Sequence, residues 1–521
     1  MATARRKLAV LTGMLCMLLA AGCGDNLTPV GSWSEGADDS AWTTLRVELF
    51  DRNDTPPGAP PITDNFMTRY IQKQFGDPNR IKVEFVTVPR SEEVERLDVL
   101  LAANQAPDIV FTYDMPLFYK YASQGKLTDL APYMAEFGRD LERVLGEEVL
   151  SEGRLDGKQF AIPARRVLRA HSTSVIREDW LNLLGLPLPE TTEQFHETLK
   201  AFREELPGKL GYDVIPWGQF GFYHTINVRY SFWDWSRITE EDLYAKPSWI
   251  MPGNKEAFRF LNQLYNEGLL RRDFALDQFS QQFRKDMVNG RVGGGTTNTN
   301  EPVYMGYLAD LHARDPDAVL TPIDPFANPN GRKPKPILEK TGMFIMVPAH
   351  SKNAEAAVKY LNWMAQPEHY MTLQNGIPGE TYELKDGLPV MLDNEETKRM
   401  LYNYFDYCII LNGKFVSAED MELNVRANAV FDPRYESFTL RSVEYAMRDT
   451  IETPRIKAIP ESEIKYGSIL REKDEEIFVK VVTAPPDEFD AVYDEEVEAY
   501  MRTGGLQVME EKRAAYRKQA G

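Results

Sequence analysis

The sequence predicts a two-lobed α/β protein, each lobe a mainly parallel sheet flanked by helices, and three observations carry that prediction. A chain of 521 residues is too long for one hydrophobic core and divides into two or three domains. Residues 45–111 run strand, helix, strand, helix, strand, the pattern of parallel strands joined by crossover helices. Two further strands, one within 157–180 and one at Thr341–Val347, read as passages from one lobe to the other and define a cleft between them.

Each element has its own signature. Leu45 to Phe50 alternates as a half-buried strand, and Ile81 to Val88 does so again after a helical stretch around Phe66, Tyr70 and Ile71. Val94, Leu97, Leu100 and Leu101 share one helix face, and Ile109 to Phe111 is a short buried strand. Ligands of such sheets sit beyond the carboxyl ends of the strands. That rule singles out Tyr113 and Asp114 at one end and Asp51 to Asp54 at another. In the stretch Gly157 to Pro163 the proline has no amide to donate, so it belongs at a strand end or a bulge. Strand-like residues continue from Arg166 to Ile176, a helix follows at Arg177 to Leu184, and Gly185, Pro187 and Pro189 stop it. Thr191 with Gln194 makes a capping box ahead of Phe195, Leu199 and Phe202.

Aromatic residues are densest between Tyr212 and Trp235. Each taken singly reads better as core, but aromatic faces also suit the apolar C–H faces of sugar rings. One or two of Trp217, Trp233 and Trp235 are expected to reach the cleft. Two amphipathic helices follow, one with Phe258, Leu261, Leu264 and Tyr265 and one with Phe279, Phe283 and Met287. In Gly290 to Asn300, three consecutive glycines permit close backbone approach, and Thr297 and Asn298 just beyond can hydrogen-bond a ligand. A binding loop and a plain turn both remain open there, whereas the spacing of a phosphate loop is missing. A proline-rich connector, Pro322 to Pro336, precedes the second passage, and Ala354, Ala357, Val358, Leu361 and Met364 line a helix ending at Pro367.

Composition excludes several classes. A net charge of −19 argues against nucleic acid, which needs a basic surface. The six histidines are scattered without metal-ligand spacing, and neither HExxH nor GxSxG occurs, so no metal, cofactor or catalytic group is expected. With 79 acidic residues some carboxylates are neighbours by chance, which keeps a secreted carbohydrate-active hydrolase or lyase as the alternative. A ligand-sensing subunit of a membrane signalling system is a third reading. Arg5-Arg6-Lys7, the apolar run Leu8 to Gly22 and the small residues before Cys23 form an export signal. With Cys16 in that leader and Cys23 at its end, Cys408 is alone and reads as a buried apolar residue. Residues 24–44 lack periodicity and read as a tether with a reach of about 25 Å.

The order GKQFAIP (Gly157–Pro163), IREDWL (Ile176–Leu181) and LGLPLPETTEQF (Leu184–Phe195) resembles the lobe crossing of bacterial extracellular solute-binding proteins. The turn Asn375 to Leu384, with Thr381 where the family usually has His, and the tail Phe478 to Tyr516 resemble the long-chain branch of that family. Ala20-Ala21-Gly22-Cys23 resembles a lipobox. The resemblance implies a type II periplasmic-binding-protein-like fold with extra C-terminal helices. It divides the chain into a lipoprotein signal peptide (1–22), a tether (23–44), lobe 1 (45–164 plus 341–410) and lobe 2 (165–340 plus 411–521). It further implies a monomer, lipid-anchored at Cys23 outside the cytoplasm, that captures an oligosaccharide and delivers it to an ABC permease without chemistry. The expected ligand-binding residues are Tyr113, Asp114, Arg165, Arg166, Trp217, Trp233, Trp235, Thr297 and Asn298. Arg165 and Arg166, at the expected hinge, keep a peptide or an acidic sugar among the ligands, because a guanidinium binds carboxylate bidentately.

Overall fold

The computed structural model describes residues 42–520 apart from 54, 278, 279, 431 and 457–459. The expected leader with Cys16, the lipidated Cys23, the tether to residue 41, Asp54 and Phe279 lie outside the described residues. Nine strands frame the fold: β1 (Thr43–Asp51), β2 (Ile81–Pro89), β3 (Val110–Thr112), β4 (Ala161–Arg166), β5 (Ser172–Arg177), β6 (Gly294–Asn298), β7 (Leu320–Ile323), β8 (Thr341–Met346) and β9 (Leu411–Asn412).

In the first lobe β1 and β2 pair in parallel, as their connecting helix at Phe66–Ile71 requires. Asn65 caps that helix and Thr68 answers it in a reciprocal capping box. Strand β1 continues the sheet through Glu48 N–H to Ile109 O (2.9 Å) and Ile109 N–H to Arg46 O (3.0 Å). Beyond β3 the order is β8, β4, β9, with β8 antiparallel to both β3 and β4 and β9 parallel to β4. Pro163 lies in β4 where the register against β8 shifts, and β9 reaches only Arg165 and Arg166. Its missing donor therefore leaves no partner unmatched. Leu45, Val47, Leu49, Phe111, Ile162, Ile345 and Leu361 form the core, with Cys408 buried among them.

The second lobe departs from the mainly parallel sheet that the sequence suggests. Strand β5 is antiparallel to both β6 and β7, while residues 215–218 add parallel bridges to 292–295. No crossover helix separates β4 from β5, so β5 enters the lobe as the continuation of a passage, free of the constraint that makes consecutive strands parallel. Gly185 ends the helix Glu178–Leu184 in a left-handed conformation (φ 69°), as expected. Thr191 caps the helix Thr192–Leu210, whereas the Gln194 side chain accepts from Glu190 N–H, one residue before the predicted partner. Trp180, Phe195, Phe202, Phe258 and Leu264 build the core, which Ile477, Phe478, Val481 and Tyr493 of the C-terminal helices complete.

The passages lie side by side. Arg166 N–H donates to Lys340 O (2.9 Å) and Leu338 N–H to Arg169 O (2.8 Å). After β9 the chain stays with the first lobe longer than the division at 411 expects: Phe415 belongs to the first core. Helix Met421–Ala429 packs beside the hairpin strand Leu388–Met391, and helix Glu436–Ala446 is the one that meets β5 and β7. The apolar spacing of 411–446 marks helices but not which lobe receives them.

Candidate functional site

Strand β4 delivers Arg165 and Arg166 to opposite faces, because successive side chains alternate. Arg165 turns away from the cleft and donates to Leu145 O (3.0 Å) on helix Arg139–Leu150. Arg166 turns toward it: Nε donates to Thr341 O and Nη1 to Asn412 Oδ1, both at 3.2 Å. Asn412 then donates through Nδ2 to the Tyr113 hydroxyl (3.0 Å), so one amide ties Arg166 to Tyr113. The Arg90 guanidinium lies 4.8 Å from the Tyr113 ring centre, and Tyr113 stacks on Phe50 at 6.5 Å.

The opposite wall is built by His171, Tyr223 and Tyr304. Tyr223 stacks on His171 at 4.8 Å with 27° between the planes, and 45% of its surface is exposed. Its hydroxyl is nonetheless pushed up to about 12, by desolvation first and then by Glu301, against the opposing pull of Arg166. A ring open to solvent yet hemmed in on most sides lines a cleft. Tyr304, 38% exposed, is raised for the same reason; Glu301 adds to the shift, while Arg284 and Arg52 of the first lobe oppose it. Arg166 feels the phenols of Tyr113 and Tyr223, one from each wall, while burial lowers its own pKa. His171 is pushed down to about 4 by burial, then by Arg166 and Arg229, so it is neutral at physiological pH.

The expected residues divide accordingly. Tyr113 and Arg166 meet in the cleft, and Asn298 lies at the end of β6 opposite Ser172, donating to Glu301 Oε2 (3.0 Å). Asp114 caps helix Met115–Ser123 through Leu117 N–H (2.7 Å) and pairs with Arg471 of the C-terminal helix at 3.5 Å. Four expectations are corrected, the first being Arg165 on the face away from the cleft. Trp217 is core, edge-on to Phe195 at 4.8 Å. Trp233 is buried, donating to Asn254 Oδ1 (2.9 Å), whereas Trp235 beside it stays half-buried and donates to Tyr230 O (2.8 Å). Thr297 is fully buried in β6. Burial here follows what packs against each ring and not the residue type: Trp217, Trp233 and Tyr230 are buried, Trp235 is half-buried and Tyr223 is exposed.

The glycine run also points inward. A Cβ on Gly294 would lie 2.1 Å from Val175 O, one on Gly293 2.5 Å from Pro216 O, and one on Gly295 2.8 Å from Gly218 O. These glycines admit neighbouring backbone rather than a ligand. Sequence reasoning missed His171, Tyr223, Tyr304, Asn412 and Arg229. Tyr223 stands inside the aromatic region already singled out, but Asn412 carries no local signal, since only its pairing with β4 brings it to Arg166. Among the described residues no group of three or more His, Cys, Asp or Glu is placed to hold a metal ion.

Two α/β lobes joined by adjacent passages, with tyrosines from both facing one arginine, define a binding protein with an interlobe cleft. The chain belongs to the bacterial extracellular solute-binding protein family, whose profile matches residues 59–371. It is 27% identical over 336 residues to Lipoprotein LipO of Bacillus subtilis, a match covering 62% of this chain and 66% of that one. It is 22% identical over 471 residues to the polygalacturonan/rhamnogalacturonan-binding protein YtcQ of the same organism, covering 85% and 87%. Its fold is similar to that of the ABC-transporter substrate-binding protein FusA of S. pneumoniae, solved with kestose: TM-score 0.71, 14% identity, 92% of this chain and 99% of that one.

Proposed function

We propose that this protein captures an oligosaccharide in the interlobe cleft and hands it to an ABC permease, unchanged, from the outer face of the cell membrane. The observation that carries the reading is Tyr223, an exposed ring held flat on His171 and near enough to Arg166, which Tyr113 also neighbours, to act on it. Sugar rings present apolar C–H faces to such a platform and hydroxyls to the polar groups around it, a role open to the half-buried Asn298 and Asn412. What YtcQ is named for binding and what FusA was solved with support the same class. Closure is a hinge motion about 167–171 and 337–341, driven by the better contacts of the ligand in the closed state.

Tyr223→Ala is expected to weaken oligosaccharide binding by about 1–3 kcal/mol, the scale of aromatic stacking on a base, with the melting temperature nearly unchanged. Calorimetric titration against a glycan panel, with mass analysis of the recovered sugar, tests both parts. Full affinity in the variant removes the platform, and shortened products formed at protein-dependent rates would favour the hydrolase or lyase reading. The anchor rests on the small-residue run before Cys23 and on the lipoprotein relative LipO. Cys23→Ala is expected to take up no labelled fatty acid in growing cells, and retained label would refute the assignment.

A further inference from the structure

Among the described residues most cations around the passages are held in ion pairs. Arg169 pairs with Glu452 (2.6 Å), Arg455 pairs with Glu152 and Glu339 (2.5 Å each), and Lys340 pairs with Glu148. In the cleft walls Arg52 pairs with Asp406 (2.7 Å) and Arg284 with Glu301 (2.9 Å). Arg166 stands among these groups with hydrogen bonds only to two neutral oxygens, Thr341 O and Asn412 Oδ1. Its other nitrogen, Nη2, is uncommitted. A second guanidinium, Arg229, is 5% exposed and seated 4.1 Å from the Phe222 ring centre. Its Nε has no hydrogen-bond partner, and Asp474 and Glu475 act on it only at longer range. Both guanidiniums bear on His171 between them, which is neutral and offers no negative charge.

Glu339, itself paired with Arg455, acts on Arg166 only at longer range, and a partly buried guanidinium with no carboxylate in hydrogen-bond reach is costly unless something else supplies the counter-charge. The group that would do so has to enter from the cleft, between Tyr113 and Tyr223, where a sugar ring is proposed to stack. We infer that the ligand is an acidic oligosaccharide, a uronic-acid-containing chain, one carboxylate of which docks on Arg166 through its free Nη2 edge beside His171. This inference rests on the oligosaccharide reading and narrows it. Arg fits the role because its planar fork matches a carboxylate, which an ammonium group does not.

The test is calorimetric titration of the full-length protein with trimers of galacturonate, glucuronate and mannuronate, their methyl esters, and neutral galactose, glucose and mannose trimers. At least one acid is expected to bind about tenfold or more tighter than its ester, the scale of hydrogen bonds to charged groups. Arg166→Gln is expected to erase that preference by weakening the acid while leaving the ester unchanged, and Arg166→Lys to restore part of it. Tyr223→Ala, in contrast, weakens acid and ester alike. The acid–ester comparison in the unmutated protein stands even where a variant fails to fold. Equal binding of acid and ester, or an Arg166→Gln variant that weakens both equally, overturns the inference. Binding of neutral trimers alone overturns it while sparing the oligosaccharide reading, and binding of no sugar overturns both.

Discussion

Trp217→Ala is expected to lower the stability of the second lobe by about 3–5 kcal/mol, the usual cost of truncating a buried Trp, without loss of ligand affinity in the molecules that remain folded. Trp217 exposes 2% of its surface, meets Phe195 edge-on, and packs where a Cβ on Gly294 would come within 2.9 Å of its ring. On the Gly294 side it meets sheet backbone, which cannot move in to fill the space, so much of the cavity persists. Differential scanning calorimetry with titration on the same variant separates the roles. A drop of several degrees with normal binding at low temperature is the expected pattern. An unchanged melting temperature with lost affinity would move Trp217 back to the cleft.

The second large effect concerns pH. Glu48, on β1, is 1% exposed; its Oε2 accepts from Phe111 N–H (2.8 Å) and its Oε1 has no partner. Burial pushes its carboxyl up to about 8, with Glu93 adding to the shift and the Phe111 amide and Arg90 opposing it. The folded chain therefore keeps a proton that the unfolded chain, with an ordinary carboxyl near 4.5, gives up. Stability from this group is complete below that value and is lost as pH rises toward 8. Between pH 5 and 7 the loss amounts to roughly 2–3 kcal/mol at most, at about 1.4 kcal/mol per pH unit. Glu48→Gln keeps the shape and the acceptor for Phe111 without the charge. Urea unfolding should show the variant nearly matching the parent at pH 5 and exceeding it at pH 7.5. Parallel curves at the two pH values would refute the assignment.

How far the sequence was legible depended on the range of the interaction that decides each feature. The helix at 178–184 was predicted with its glycine stop, because capping acts within one turn. The alternating runs at 45–50 and 81–88 became β1 and β2, since period-two burial is a local pattern. Of the residues proposed to line the cleft, Tyr113 and Arg166 were legible from strand ends and the passage, and Asn298 from the loop after the glycines. Arg165 was misjudged with its neighbour, as a strand sends adjacent side chains to opposite faces and only the surrounding helices say which face is the cleft.

What the sequence by itself determined is the class of fold and the family, because apolar periodicity, helix stops and the order of the passage segments are properties of consecutive residues. Tertiary structure alone decided which aromatics are core and which stay open to solvent, and the reason is geometric. Trp217, Trp233 and Tyr223 look alike along the chain, but burial depends on what the other elements bring against each ring: Phe195 and Gly294 close over Trp217, Asn254 over Trp233, while Tyr223 rests on His171 with His224 at its edge and keeps 45% of its surface open. The partner of Arg166 was equally out of reach, since Asn412 lies 246 residues further along and arrives only when β9 pairs with β4.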